Sequence, residues 1–290
     1  MGKILSYQVK NCPNCGAAAV PSEEKCPACG EYLGPPNVRA ISESTERAAL
    51  WARYEAALAR AEMRGAKKKV LEFETAVASS VAVVAMDLYR LRDLAADARN
   101  WYSNYHLSVR GKVRQAATEA NARQREAVDA IMFPGYGDEI VNAALSLDGK
   151  GLTSYGAYAV LLKDIAVAKR ATVLEENAFN FVKRHKVAPH SVIPRGFRGV
   201  WVERQVLAVA KLADRIDSTT GRDMFPELLL KSTTDRTRDE FVEVHIFGTF
   251  NVNAIDGVRG SSSPKDAASK ALVAVVKDLL LKQGKTWIEG

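Results

Sequence analysis

Outside two short motifs near its start, this chain of 290 residues contains no cysteine. That excludes a disulfide framework for the body of the protein and a thiol nucleophile within it. Long apolar runs are also missing. The most apolar stretch, Ala76 to Met86, is too short to span a bilayer and holds Ser79 and Ser80. The opening residues, Met1 to Tyr7, have no apolar core of signal-peptide length. Met1-Gly2 followed by Ser6 touches the myristoylation pattern, but the first cysteine motif follows almost at once. The reading is a protein of a reducing cytoplasmic compartment with no membrane partner. Histidine is scarce: His106, His185, His190 and His245 are the only four, and no H-E-x-x-H pair occurs. No G-x-S-x-G is present. Gly284-Lys285-Thr286 is similar to the end of a phosphate-binding loop, but Leu279 stands where such a loop needs glycine. Proline is absent from Asn37 to Phe133, where only Gly65 and Gly111 are glycine.

The cysteines that are present form two copies of one knuckle. Cys12-Pro13-Asn14-Cys15-Gly16 and Cys26-Pro27-Ala28-Cys29-Gly30 are separated by ten residues between Cys15 and Cys26. The C-x-x-C spacing lets two sulfurs reach one ion from a tight turn, whose positive φ the following glycine supplies. Two knuckles complete an S4 site, for which Zn²⁺ is the default occupant. Residues 1–34 therefore read as a zinc ribbon whose metal supplies most of its folding energy. Gly34-Pro35-Pro36 reads as a stiff hinge.

The next hundred residues are rich in Ala, Arg, Glu and Leu, which are strong helix formers. Leu50, Trp51, Tyr54, Leu58 and Ala61 recur at helical spacing, as do Val70, Phe73, Val77, Val81, Val84, Leu88, Leu91 and Leu94. The expectation is a helical hairpin or bundle arm over 37–133, serving as spacer, self-association surface or partner dock. Lys67-Lys68-Lys69 fits a solvated helix face better than a phosphate grip. Phe133-Pro134-Gly135-Tyr136-Gly137 ends the arm, and 134–290 reads as a mixed α/β domain. Its predicted strands are Ala157–Leu162, Ala171–Leu174, Glu227–Lys231 and Phe241–Phe247. Its predicted helices are Glu175–Val182, Val202–Ile216 and one capped by 263–266 that runs to Leu281. The fold class is thus α+β.

The formal net charge of +7 favours an acidic partner, nucleic acid first among them. Arg195, Arg198 and Arg204 alternate with Phe197 and Trp201. That mix suits phosphate contact and base stacking. It equally suits a loop whose aromatic residues plug the core while the arginines stay wet.

In Phe241-Val242-Glu243-Val244-His245-Ile246-Phe247, Glu243 and His245 share one strand face and Val242, Val244 and Ile246 the other. A strand carboxylate is either a solvated edge residue or, if buried, one that is paired or working. Glu243, Gly248-Thr249 and Ile255 resemble, in their spacing, the closing element of ADP-ribosyltransferase domains. Tyr155-Gly156 and Arg170-Ala171-Thr172 resemble the Tyr-Gly strand and Arg-Ala-Thr segment of phage-borne and polymorphic-toxin members. The likeness covers roughly residues 136–260. Two departures stand out. Ser232-Thr233-Thr234, which is similar to a Ser-Thr-Ser motif, lies unusually close to Glu243, and Glu175-Glu176-Asn177 replaces Gly-Asp-Ser.

The resemblance implies an NAD-dependent transferase of a bacterial or phage-infected cell. A macromolecular target would be positioned by the ribbon and arm. Glu243 would be the catalytic carboxylate, Tyr155 would stack on nicotinamide and Arg170 would meet the pyrophosphate. The other reading is a non-catalytic protein of nucleic-acid binding or viral assembly that uses the same parts as a scaffold.

Overall fold

The computed structural model describes residues 10–19, 23–104, 119–264 and 266–290. The opening heptapeptide, Tyr105 and His106 lie outside them. Helices α1 (Pro36–Ile41), α2 (Ser44–Met63) and α3 (Lys67–Ala78) follow the cysteine knuckles, and then the first strand, β1 (Val81–Met86). Next come α4 (Leu88–Ala96), α5 (Glu119–Met132), β2 (Ile140–Ser146), β3 (Tyr158–Leu162), α6 (Asp164–Val167), β4 (Ala171–Leu174) and α7 (Ala178–His185). The chain continues through β5 (Arg198–Val200), α8 (Arg204–Leu212), α9 (Phe225–Leu229), β6 (Leu230–Lys231), β7 (Glu240–Phe241), β8 (Glu243–Phe247), β9 (Ile255–Gly260), α10 (Ala267–Lys282) and β10 (Thr286–Glu289).

Eight strands form one sheet in the order β10-β9-β3-β1-β2-β8-β4-β5. Neighbours are antiparallel except β9 and β10, which run parallel. The mixed α/β class is as expected, but the partition at residue 133 is corrected. β1 lies near the middle of the sheet, paired with β2 and β3, which both follow that boundary. The run Val81-Ala82-Val83-Val84-Ala85-Met86 is a largely buried strand. Such a run is continuously apolar and cannot be told from helix by periodicity alone. The break is local: α3 stops at Ala78, and Ser80 Oγ donates to the Val77 carbonyl.

The expected helical arm is therefore part of the body. Leu50, Ala57, Ala61, Val70, Phe73 and Val77 are completely buried in one apolar cluster with Val244 and Ile246 of β8 and with Val206 to Val209 of α8. The stripe read as a docking surface is used within the chain. Each large apolar side chain buried there contributes about 1.5–3 kcal/mol relative to exposure.

Pro36 occupies the first turn of α1, where its missing N–H costs nothing. The Pro-Pro segment does not act as a free hinge. The next residue, Asn37, is buried, and its Nδ2 donates to the Arg170 and His245 carbonyls at 3.1 and 3.0 Å. Among the described residues, no helix is long and apolar enough to cross a membrane.

Candidate active site and metal centre

The two knuckles fold as near copies. In each, the first cysteine's N–H donates forward, Cys12 to Ala17 and Cys26 to Glu31, and the glycine N–H returns to that cysteine's carbonyl. Gly16 and Gly30 sit at φ of 73° and 75°, in the region that favours glycine. The four sulfurs all lie within 4.8 Å of one another. Cys12–Cys29 and Cys15–Cys26 are each 3.6 Å apart. A tetrahedron of thiolates at a metal–sulfur distance of about 2.3 Å separates its sulfurs by about 3.8 Å. The donor set and its geometry thus fit one tetrahedral metal ion. Leu33 packs beneath Cys12 and Cys26.

The sheet brings the sequence-predicted carboxylate to a cavity. On β8, Val244 and Ile246 point into the core shared with α2, α3 and α8, while Glu243, His245 and Phe247 point the other way. On this second face a cavity of about 710 Å³ opens over Val83 and Ala85 of β1, Asn142 of β2 and Glu243, with α5 and α7 as walls. Ligand pockets commonly have this size.

Glu243 is 5% exposed, so it is not a solvated edge residue. The Ala178 N–H, at the start of α7, donates to its Oε2 at 2.7 Å. Among the described residues, Oε1 has no hydrogen-bonding partner in the protein.

Beside Glu243, His245 is buried, its Nε2 is 3.3 Å from Oε2, and its ring meets the Phe133 ring edge-on. In register with His245 across the sheet are Asn142 and Thr172. Asn142 Oδ1, Thr172 Oγ1 and His245 Nε2 are all buried without a well-aligned hydrogen bond. A row of such groups is costly unless it serves something.

Tyr155 lines the same cavity. Burial, and the charge of Glu243 behind it, push its phenol above the ordinary range. The loop carrying it is built on close approach: a Cβ at Gly156 would stand 2.4 Å from the Met86 carbonyl carbon.

Arg170, expected to meet a pyrophosphate, does not line this cavity. Its Nη1 donates to the carbonyls of Phe247 and Thr249 at 2.7 and 2.9 Å, and its Nε to that of Ala166 at 2.6 Å. It pins the turn after β8, where Gly248 has φ of 78°. Burial lowers its pKa to about 10.

The arginine segment resolves toward the core-plug reading. Trp201 is 1% exposed. Phe197 packs against Phe181, His185 and the Arg53 guanidinium. Arg198 pairs with buried Glu46 at 3.0 Å. Arg204 donates to the Trp201 and Ala78 carbonyls and stacks on the Trp201 ring. Arg195 alone of the three is exposed. The arginines expected to stay wet are, in two of three cases, neutralised or buried.

A second group with metal-ligand atoms, Glu175, Glu176 and His185, is already neutralised by protein cations. Arg53 and Arg184 pair with Glu175, and Arg184 also pairs with Glu176.

Sequence reasoning overlooked Asn142 and Arg236. One signal was present: a polar residue inside the apolar run Ile140–Ser146. No protein-family model matches the chain, and no curated protein is detectably similar to it in sequence.

Proposed function

We propose that the chain is an NAD-dependent ADP-ribosyltransferase-like protein whose reaction takes place in the Glu243 cavity, with Zn²⁺ held by Cys12, Cys15, Cys26 and Cys29. The observation that carries the reading is the state of Glu243. It is a buried carboxylate held by one backbone N–H and turned toward a ligand-sized cavity beside Tyr155.

Cleavage of the nicotinamide–ribose bond sends the bonding electrons to nicotinamide and leaves positive charge on the ribose. The acceptor then bonds to that carbon and gives up its proton. Glu243, fixed through Oε2, keeps Oε1 for a ribose hydroxyl and stabilises the developing charge. The cavity wall supplied by Tyr155 offers a flat surface to an aromatic ring. The ribbon and Arg195 remain the places where a macromolecular acceptor would be met. The zinc is structural: a closed four-thiolate site has no open position for substrate.

Labelled NAD tests the reading. The wild type should release nicotinamide, and Glu243→Gln should lower the rate about 10²- to 10³-fold while remaining folded. A folded wild type with no turnover, with or without cell extract as acceptor, would leave the chain in the non-catalytic scaffold class.

A further inference from the structure

We propose that Arg236 and Lys183 form a diphosphate-binding subsite on the rim of the Glu243 cavity, and that the cavity's ligand is therefore a diphosphate-bearing nucleotide. Both residues line the cavity, Arg236 from the loop between β6 and β7 and Lys183 from α7. Neither has a carboxylate partner among the described residues. This sets them apart from Arg198, paired with Glu46, and Arg184, paired with Glu175.

Arg236 is held ready. Its Nε donates to the Ser154 carbonyl at 2.9 Å, and its guanidinium lies 4.5 Å above the centre of the Tyr155 ring. These two contacts fix the plane of the group and leave both Nη atoms unengaged. A planar fork of this kind suits paired phosphate oxygens.

The loop is latched to the one carrying Tyr155. The buried carboxylate of Asp239 accepts from the Thr233 N–H at 2.6 Å and from Ser154 Oγ at 2.5 Å. Ser232 Oγ accepts from the Thr153 N–H at 2.8 Å. Arg236 is thus exposed at its tip and anchored at its base, as a binding group should be. Two unpaired cations on one cavity rim favour an anion with more than one charge, and a diphosphate has charge for both.

In naming a dinucleotide as one such ligand, the assignment rests on the reading above. In naming diphosphate, it stands on different residues. Titration calorimetry of the full chain with ADP, inorganic pyrophosphate and adenosine decides it. ADP and pyrophosphate should bind and adenosine should not. Arg236→Ala should weaken ADP about 10- to 100-fold, the scale of lost charge-assisted hydrogen bonds. Lys183→Ala should weaken it less. Arg236→Lys should recover only part of the loss, because it restores charge without the fork. Thermal melting should show every variant folded.

Adenosine binding as well as ADP, no binding of ADP or pyrophosphate at millimolar concentration, or full ADP affinity in a folded Arg236→Ala would overturn the subsite. The two readings fail separately. Arg236-dependent ADP binding without NAD cleavage keeps the subsite and removes the transferase. Glu243-dependent cleavage that ignores Arg236 does the reverse.

Discussion

The two faces of strand β8 are covered in different ways. Val244 and Ile246 are completely buried against α2, α3 and α8, in a cluster that extends from Leu50 to Leu280. One residue away in each direction, Glu243 and His245 face the cavity side, with Asn142 and Thr172 in register and hydrogen-bonding capacity left over. Both faces are buried by area, yet only one is satisfied. The dry face is what folding requires, because apolar burial there needs no partner beyond close packing. The polar face carries groups that folding alone would not favour. Strand alternation puts both within one five-residue segment, which is how a stable scaffold holds a costly constellation in place.

The contrast can be broken at several points. The largest effect should come from the metal centre. Replacing Cys26 with Ser, or stripping the ion with a chelator, should unfold the knuckles, since metal binding supplies about 10–16 kcal/mol to small sites of this kind. The sheet should survive, because its apolar cluster contains none of the four cysteines. Elemental analysis and circular dichroism before and after chelation test this. Loss of the whole cooperative transition would mean that neither face is stable without the metal.

Arg198→Ala comes next. It strands the buried Glu46 carboxylate, which also accepts from the Gly196 N–H. Urea denaturation should show a loss of about 3–5 kcal/mol. An exposed, unpaired arginine would cost almost nothing on removal.

Ile246→Ala on the dry face should cost about 2–5 kcal/mol by cavity formation. NAD cleavage per folded molecule should be nearly unchanged. Glu243→Gln should show the smallest stability effect. The amide oxygen can still accept from the Ala178 N–H, so a change under about 1 kcal/mol is expected.

Much of this arrangement was readable in the chain. The cysteine spacing singled out the four sulfurs that cluster, the alternation at 241–247 put Glu243 and His245 on one face, and Ala171–Leu174 was bounded as observed. Asp266 caps α10 through the Ser269 N–H, as its position before the helix implied. What the chain concealed was long-range. β1 and β2 are short apolar runs whose strand character comes from their neighbours in the sheet and not from any local period. Arg170 and Arg236 look alike in sequence. Three carbonyls capture one, and a tyrosine face with a single carbonyl presents the other, a difference that only tertiary contact creates. Glu227–Lys231, read as a strand, is mostly the short helix α9, because Pro226 fits a first helical turn.

The measurement that bears most directly on the central claim pairs NAD turnover with stability in one variant. Glu243→Gln, compared with wild type at equal folded fraction, should melt within a few degrees of the parent and lose nicotinamide release about 10²- to 10³-fold. A variant that loses stability as Ile246→Ala does, with no turnover in the parent to lose, would show that Glu243 belongs to the scaffold and contradict the account.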